Sequence, residues 1–401
     1  MLLWFAFLPY ITVLLYCSFL NRKEKKQQQN WTFSGSLPKV SLLIAFRNEN
    51  LRIQPLLDSI AALDYPKEKL EIIMTDDHSD DNTAGRIRDF AAYKQLNIQV
   101  CSLPEGQTGK KAGIALARKK ADSDYLFFTD ADATLPERWL VNMLSCLQNT
   151  GASMVCSEVE VVYRKGLLNL FEVLEQAALV AFSASVVARG KVFLCNGAGY
   201  LVKKEALEKL VFPEEWKRAP GGDDVMLLHA MHRAKEKIAY CRIEKSRVQL
   251  EPAGAKEFLQ QRIRWGSKVF LRNTSGNLVP ALLVWLFHLV NMSLFGFLIL
   301  KAGLAGLLMS LPAIFFLRGI WESLLLQDFI TPAPLISSPQ KKLRQPASGN
   351  LSDFMKLSAL ASALAPWYSL YTVLAGPLLL LTRNFTWKGR NYKSRSSPPI
   401  C

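Results

Sequence analysis

The sequence predicts an α/β domain built on a mainly parallel sheet flanked by helices, with transmembrane helices at both ends of the chain. Three observations carry this. Between residues 38 and 254, short apolar runs alternate with stretches of helical period, the pattern of strands joined by crossover helices. Several of those runs end abruptly in acidic or polar residues, as strands do where a ligand sits at the carboxyl edge of a parallel sheet. Apolar residues make up 50% of the 401 positions, yet they gather towards the two ends.

Taken in order, residues 1–21 begin MLLWFAFLPYITVLLYCSFL, an uncharged run long enough to cross a hydrocarbon core of about 30 Å. Arg22, Lys23, Lys25 and Lys26 follow, the flank of a retained anchor with a cytoplasmic carboxyl end rather than of a cleaved signal peptide. Strands are expected at 40–46, 70–75, 98–102 and 125–129, and helices at 55–63, 83–92, 110–119 and 136–148. Two further strands (153–163, 199–202) and a helix over 167–187 complete a cytoplasmic domain spanning 38–254. Residues 255–272 are helical in period, aromatic and basic, as an amphipathic interfacial helix is. The membrane region expected over 279–382 holds apolar stretches at 281–300, 302–317 and 357–381, which give two or three crossings, and a Pro/Ser loop with a basic cluster at 331–350. The basic tail, 383–401, reads as solvated and lipid-facing.

The net charge of +15 is spread over juxtamembrane stretches, the central domain and the tail, which suits anionic lipid headgroups and phosphorylated substrates. No zinc-finger spacing or RNP-like aromatic motif is present, so no nucleic-acid partner is expected. Seven cysteines without a C-x-x-C pair fit a reduced compartment. Gly106-Gln107-Thr108-Gly109-Lys110 is too short for a P-loop, and no Ser or Thr follows the lysine. His229 and His232 lack the further ligands zinc requires and read as packed or surface histidines, with His229 as an extra metal ligand the alternative, and Cys195 has no histidine partner in sequence.

Asp130 and Asp132 close the run YLFFTDAD, and side chains two apart on an extended segment share a face, so both carboxylates can converge on one hard cation. Asp76 and Asp77 also follow an apolar strand, ahead of Ser79, Asp80, Asn82 and Thr83, which supply a turn and a helix cap. Gly221-Gly222-Asp223-Asp224 precedes an apolar helix, where electrostatics alone favour acids. Gln261, Arg264 and Trp265 lie at i, i+3 and i+4, on one helical face. There they can bind a pyrophosphate and stack on a ring, or anchor the helix at the headgroups.

In this order and spacing the motifs resemble the membrane-bound glycosyltransferases of family 2, with the GT-A fold. The first strand with Arg47-Asn48-Glu49 is similar to the family's opening strand, which ends in Asn-Glu. Asp76-Asp77-x-Ser79 is similar to its uridine-binding D-D-x-S, and Gly109-Lys110-Lys111-Ala112 to its G-K-x-A. Asp130-x-Asp132 resembles its metal motif, Cys195-Asn196-Gly197-Ala198 its acceptor-side C-N-G-A, and Gln261-x-x-Arg264-Trp265 its Q-x-x-R-W signature. Asp223-Asp224 stands where many members have Glu-Asp, and Ala45 where a proline is common; neither departure removes a catalytic group. The resemblance implies Mg2+ or Mn2+ on Asp130 and Asp132, and a donor site drawing on Glu49, Asp76, Asp77, Lys110, Asp130 and Arg264. Within it, Asp77 or Asp76 accepts from uracil and Lys110 and Arg264 face the diphosphate. It also implies Asp224 as catalytic base, and an acceptor side with Cys195, Asn196, Asp223, Gln261 and a floor at Trp265.

The function expected is that of an integral membrane enzyme with a cytoplasmic catalytic domain, an inverting hexosyltransferase moving a sugar from a UDP-sugar to a membrane lipid. The alternative is a processive polysaccharide synthase with a glycan acceptor and the same active site; one span before the domain and about three after it make a poor channel for a monomer. A catalytically inactive membrane scaffold is a further, minor alternative, against which all the expected acids are present.

Overall fold

The computed structural model describes residues 8–164, 166–213, 221–243, 245–266, 282, 284–293, 296–297, 300–301, 364–377, 384–387 and 390–393. Its first helix, α1 (Leu8–Gln28), extends the expected anchor through the basic flank, so that Lys25 and Lys26 fall in the last turn, where cations suit the helix dipole. Residues 1–7 of that anchor, and the expected spans at 302–317 and 357–363, lie outside the described residues.

Strands β1 (Val40–Phe46) and β3 (Ile98–Ser102) fall where expected, while β2 (Leu70–Asp76) and β4 (Tyr125–Asp130) each run one residue further, to the first carboxylate. The four pair in parallel, in the order β3-β2-β1-β4. Val40, Leu42, Leu43 and Ile44 are all fully buried. That fits a parallel strand covered on both faces, and it is why β1 reads as an apolar run without alternation. The crossovers are α2 (Gln54–Ala61), α3 (Thr83–Lys94) and α4 (Lys110–Lys120). Pro55 sits in the first turn of α2, where its missing N–H costs nothing.

After the short strand β5 (Ala133–Thr134), helix α5 (Trp139–Thr150) begins three residues later than expected, because Trp139 N bonds Pro136 O (2.9 Å) to close a turn. It ends at Gly151, in the left-handed conformation that glycine adopts without penalty. The single strand expected at 153–163 is two, β6 (Met154–Ser157) and β7 (Val159–Val161), in different sheets. Glu158 is the break: its buried carboxylate is taken by Arg242 Nε (2.7 Å) and Arg247 Nη2 (3.0 Å). Helix α6 (Leu167–Val187) is followed by β8 (Tyr200–Lys203), α7 (Lys204–Glu208), α8 (Asp223–Arg233), β9 (Ile238–Cys241) and β10 (Val248–Leu250). The large sheet continues from β4 through antiparallel β8 to β6 and β9, and a small one runs β5-β10-β7. The architecture is a GT-A-like α/β fold with a mostly parallel sheet.

The chain divides into two compact units. One comprises residues 23–162, 186–251 and 386–401 and contains both of these sheets. The other comprises 1–22, 163–185 and 252–385. Residues 163–185, expected inside the central domain, thus group with the terminal helical segments. Within that unit Asn21 Nδ2 donates to Ala181 O (3.0 Å) and Ser185 Oγ to Cys17 O (3.2 Å), and Phe171 meets Tyr371 edge-on at 5.2 Å. Among the described residues, α6 alone is long and apolar enough to cross a membrane, and much of it is buried, as the core helix of a soluble protein also would be. A shorter apolar helix covers Val284–Ser293.

Candidate active site

The carboxyl ends of β1 and β2 interlock through their loops. Asp76 Oδ1 accepts from Ser79 N (2.9 Å), Ser79 Oγ from Asn48 N (3.1 Å), and Thr83 Oγ1 from Glu49 N (2.9 Å). Asp76 therefore builds the turn, and the Glu49 residue is buried. Asp77 is the deeper acid. Its carboxylate accepts from Gly109 N (3.0 Å), while its backbone carbonyl accepts from Arg47 Nη1 (2.6 Å). It also takes an unexpected partner. Arg390, on a strand of the basic tail (Arg390–Lys393), reaches Asp77 Oδ1 and Oδ2 at 2.8 and 2.7 Å. The tail, expected to be solvated, puts this residue on the acid that the family resemblance assigns to uracil. Nothing local marks Arg390 among the other basic residues of the tail, because its partner is 313 positions away.

A second cluster forms at the end of β4 and the start of α8. Lys110, in the first turn of α4, sets Nζ 2.5 Å from Asp130 Oδ1 and 3.9 Å from Asp223 Oδ2. Burial works against its positive charge, but the carboxylates of Asp130, Asp223 and Asp224 outweigh it, so the Lys110 pKa is raised and the ammonium persists. Asp223 and Asp224 open α8 behind Gly222 in the left-handed conformation, and Asp224 Oδ1 accepts from Val225 N (2.8 Å). Asp223, expected to act mainly through the helix end, also faces Lys110. Gly197, between Asn196 and Ala198, is where these groups meet. A Cβ built on it would stand 2.8 Å from Lys110 Nζ, 3.1 Å from Asp224 Oδ2 and 3.6 Å from Asp130 Oδ2. Glycine here leaves the cluster open, a point legible only once α4, β4 and α8 are placed. The neighbouring Asn196 Oδ1 accepts from Ala198 N (3.0 Å), and Thr129 Oγ1 donates to Ala198 O (2.7 Å), so this loop is fixed to β4. A hydrogen bond with Cys156, together with burial, pushes the Cys195 thiol well up, which fits an inert packing residue.

Gln261, Arg264 and Trp265 lie on α9 (Ala255–Gly266), in the other unit from Lys110 and Asp224. A residue between them, unremarked in the sequence, organises that helix: Arg262 stacks on Phe258 at 3.3 Å and donates to Glu175 Oε2 through Nε (3.0 Å) and to Gln261 Oε1 (2.7 Å).

Among the described residues no three His, Cys, Asp or Glu side chains gather as a protein-only metal cage. Asp130 and Asp132 supply two hard oxygen donors. That donor set fits Mg2+ or Mn2+, which bind through one or two carboxylates and complete their shell with water and substrate phosphates. His229 is buried on α8, and burial lowers its pKa below the ordinary 6.5. The unfolded chain then binds the proton more readily than the folded one, so stability falls as pH drops below about 6.5. We expect His229→Gln to flatten this acid loss, measured as the thermal midpoint between pH 7.5 and 5.5; an unchanged slope would rule His229 out as its source.

Residues 41–211 match the family model described as Glycosyl transferase family 2. Glycosyltransferase AglE of Haloferax volcanii is 31% identical over 134 residues, 33% of this chain and 43% of that protein. Poly-beta-1,6-N-acetyl-D-glucosamine synthase of Staphylococcus epidermidis is 26% identical over 247 residues, 58% of this chain and 56% of its own. Beta-monoglucosyldiacylglycerol synthase of Trichormus variabilis is 26% identical over 208 residues, 50% of this chain and 42% of its own. The chain thus spans about half the length of these relatives. Among solved structures, the mannosyltransferase PcManGT from Pyrobaculum calidifontis, in complex with GDP-Man and Mn2+, superposes with TM-score 0.50. Its identity is 20%, over 95% of this chain and 98% of that one, and the likeness is one of fold.

Proposed function

We propose that the chain is a membrane-bound inverting glycosyltransferase that moves a sugar from a UDP-sugar to a membrane lipid. The observation that carries the reaction is the convergence of Lys110, Asp130 and Asp224 on Gly197, at the carboxyl edge of the sheet. Asp77 receives the base and Lys110 lies along the diphosphate. Asp224 takes the proton of the acceptor hydroxyl as its oxygen attacks the anomeric carbon and the bond from that carbon to the diphosphate breaks. One such displacement inverts the anomeric configuration, so an α-linked donor gives a β-linked product. Asp130 and Asp132 would hold Mg2+ or Mn2+, which as a Lewis acid offsets charge on the leaving diphosphate.

The membrane reading is supported by exposed apolar side chains on the terminal segments: Phe19 on α1, Phe297 and Leu300, and Trp367 and Leu374 in the 364–377 helix. With the catalytic domain beside the anchor's basic flank, that domain faces the cytoplasm. The glycolipid synthase among the relatives favours a lipid acceptor and the poly-N-acetylglucosamine synthase a growing glycan. Mass spectrometry of lipids from cells expressing the chain separates the two: a discrete glycolipid is expected, and a polymer ladder would replace the lipid reading with the processive one. Chelation should silence transfer, Mg2+ or Mn2+ should restore it, and Asp132→Ala should remain silent after metal is returned. Full UDP release in excess chelator would remove the metal from the mechanism.

A further inference from the structure

We propose that the C-terminal strand is an internal occupant of the nucleotide-base subsite: Arg390 covers Asp77 in the resting protein and must leave before a donor binds. The inference rests on the reading that Asp77 receives the base.

Two facts carry it. The first is the mode of contact. Arg390 Nη1 lies 2.8 and 2.7 Å from the two carboxylate oxygens and Nη2 lies 3.3 Å from the Asp77 carbonyl, while Gly109 N holds Oδ2 from another side at 3.0 Å. A carboxylate that reads a base does so by accepting an N–H from its edge, and the guanidinium presents N–H donors to that same acceptor. The second is access. With Arg390 in place, the Asp77 side chain is only 2% exposed, and the guanidinium occupies both of its carboxylate oxygens. The contact joins residues 313 positions apart, and its guanidinium stays charged at any working pH. It is therefore a standing competitor, removed by displacement.

Competition of this kind raises the apparent dissociation constant by the inverse of the fraction of molecules in which the subsite is open. If the strand covers Asp77 in nine molecules of ten, its removal tightens donor binding about tenfold. A guanidinium that stayed in place and itself contacted the base would have the opposite signature, weaker binding on removal.

The test uses UDP, the full chain in detergent, and calorimetry on wild type, Arg390→Ala, Arg390→Lys and Asp77→Ala combined with Arg390→Ala. Expected are about tenfold tighter UDP binding for Arg390→Ala and an intermediate value for Arg390→Lys, which keeps the charge but loses the two-pronged contact. Unchanged or weaker binding in Arg390→Ala overturns the proposal. The double variant separates the underlying reading: if Asp77→Ala makes no difference once Arg390 is gone, Asp77 does not hold the base. Hydrogen exchange on the wild type supplies a measurement that needs no variant. Backbone amides of 390–393 should lose protection on saturation with UDP, and unaltered protection at saturation refutes displacement. Failure of UDP to bind any form would overturn both readings together.

Discussion

Asp224→Asn is expected to abolish turnover, by about 10²- to 10⁴-fold, while UDP-sugar binding survives. The substitution is nearly isosteric and removes the ability to take a proton. Asp224 Oδ2 points toward the Gly197 opening and Oδ1 is held by Val225 N at 2.8 Å, so the asparagine amide can keep that bond through its oxygen. In the proposed assignment donor affinity draws on Asp77 and Lys110, which the change leaves in place, so the loss is expected to fall on kcat. Asp77→Ala should do the reverse and weaken donor binding. Asp223→Asn gives a third pattern. Its carboxylate is 3.9 Å from Lys110 Nζ, and its loss leaves Asp130 and Asp224 as the remaining acids near that ammonium, so a partial effect on both binding and turnover is expected. Calorimetry for donor binding and UDP release for turnover distinguish the three. An inert Asp223→Asn with a dead Asp224→Asn keeps the assignment of the base; a dead Asp223→Asn beside a normal Asp224→Asn moves the base one residue toward the amino terminus.

The sheet was legible because β1, β2 and β4 are largely buried on both faces and appear as mainly apolar runs, two of which, β2 and β4, end in an acid. Asp76 and Asp130 close their strands in the register where β2 and β4 flank β1, opposite Phe46 and Ala45, so strand ends read from sequence became neighbouring acids in space. What stayed hidden depends on distance along the chain. The break at Glu158 needs Arg242 and Arg247, and the role of Gly197 needs α4, β4 and α8 together. Gln28, the last residue of α1, donates to Tyr240 O at 2.9 Å and accepts from Arg242 N at 2.7 Å, a buried tie to partners more than 200 positions away. Asp223 read as a helix-end acid because that explanation is local, and its lysine partner is not.

Gly197→Ala is expected to leave the fold intact and to lower kcat by about 10²-fold, the cost of misplacing reacting groups by roughly an ångström. The backbone of Gly197 lies outside the left-handed region, so alanine can adopt its conformation. The nearest atom its methyl group would meet is Lys110 Nζ at 2.8 Å, the end of a flexible side chain that can swing away at little cost to stability. That movement is what would harm the chemistry: the lysine leaves Asp130, and the methyl group stands 3.1 Å from Asp224 Oδ2, where the proposed mechanism brings the acceptor hydroxyl. Gly199, two residues on, supplies the contrast. A Cβ there meets Ser157 Cβ at 2.8 Å and Val248 Cγ2 at 3.1 Å, packed atoms that cannot swing aside. Gly199→Ala should therefore cost about 1–3 kcal/mol of stability through overpacking. Thermal denaturation and UDP release on both variants give opposite patterns, a stable but slow Gly197→Ala against a destabilised Gly199→Ala. Wild-type turnover in Gly197→Ala would mean that Lys110, Asp130 and Asp224 do not surround the reacting centre.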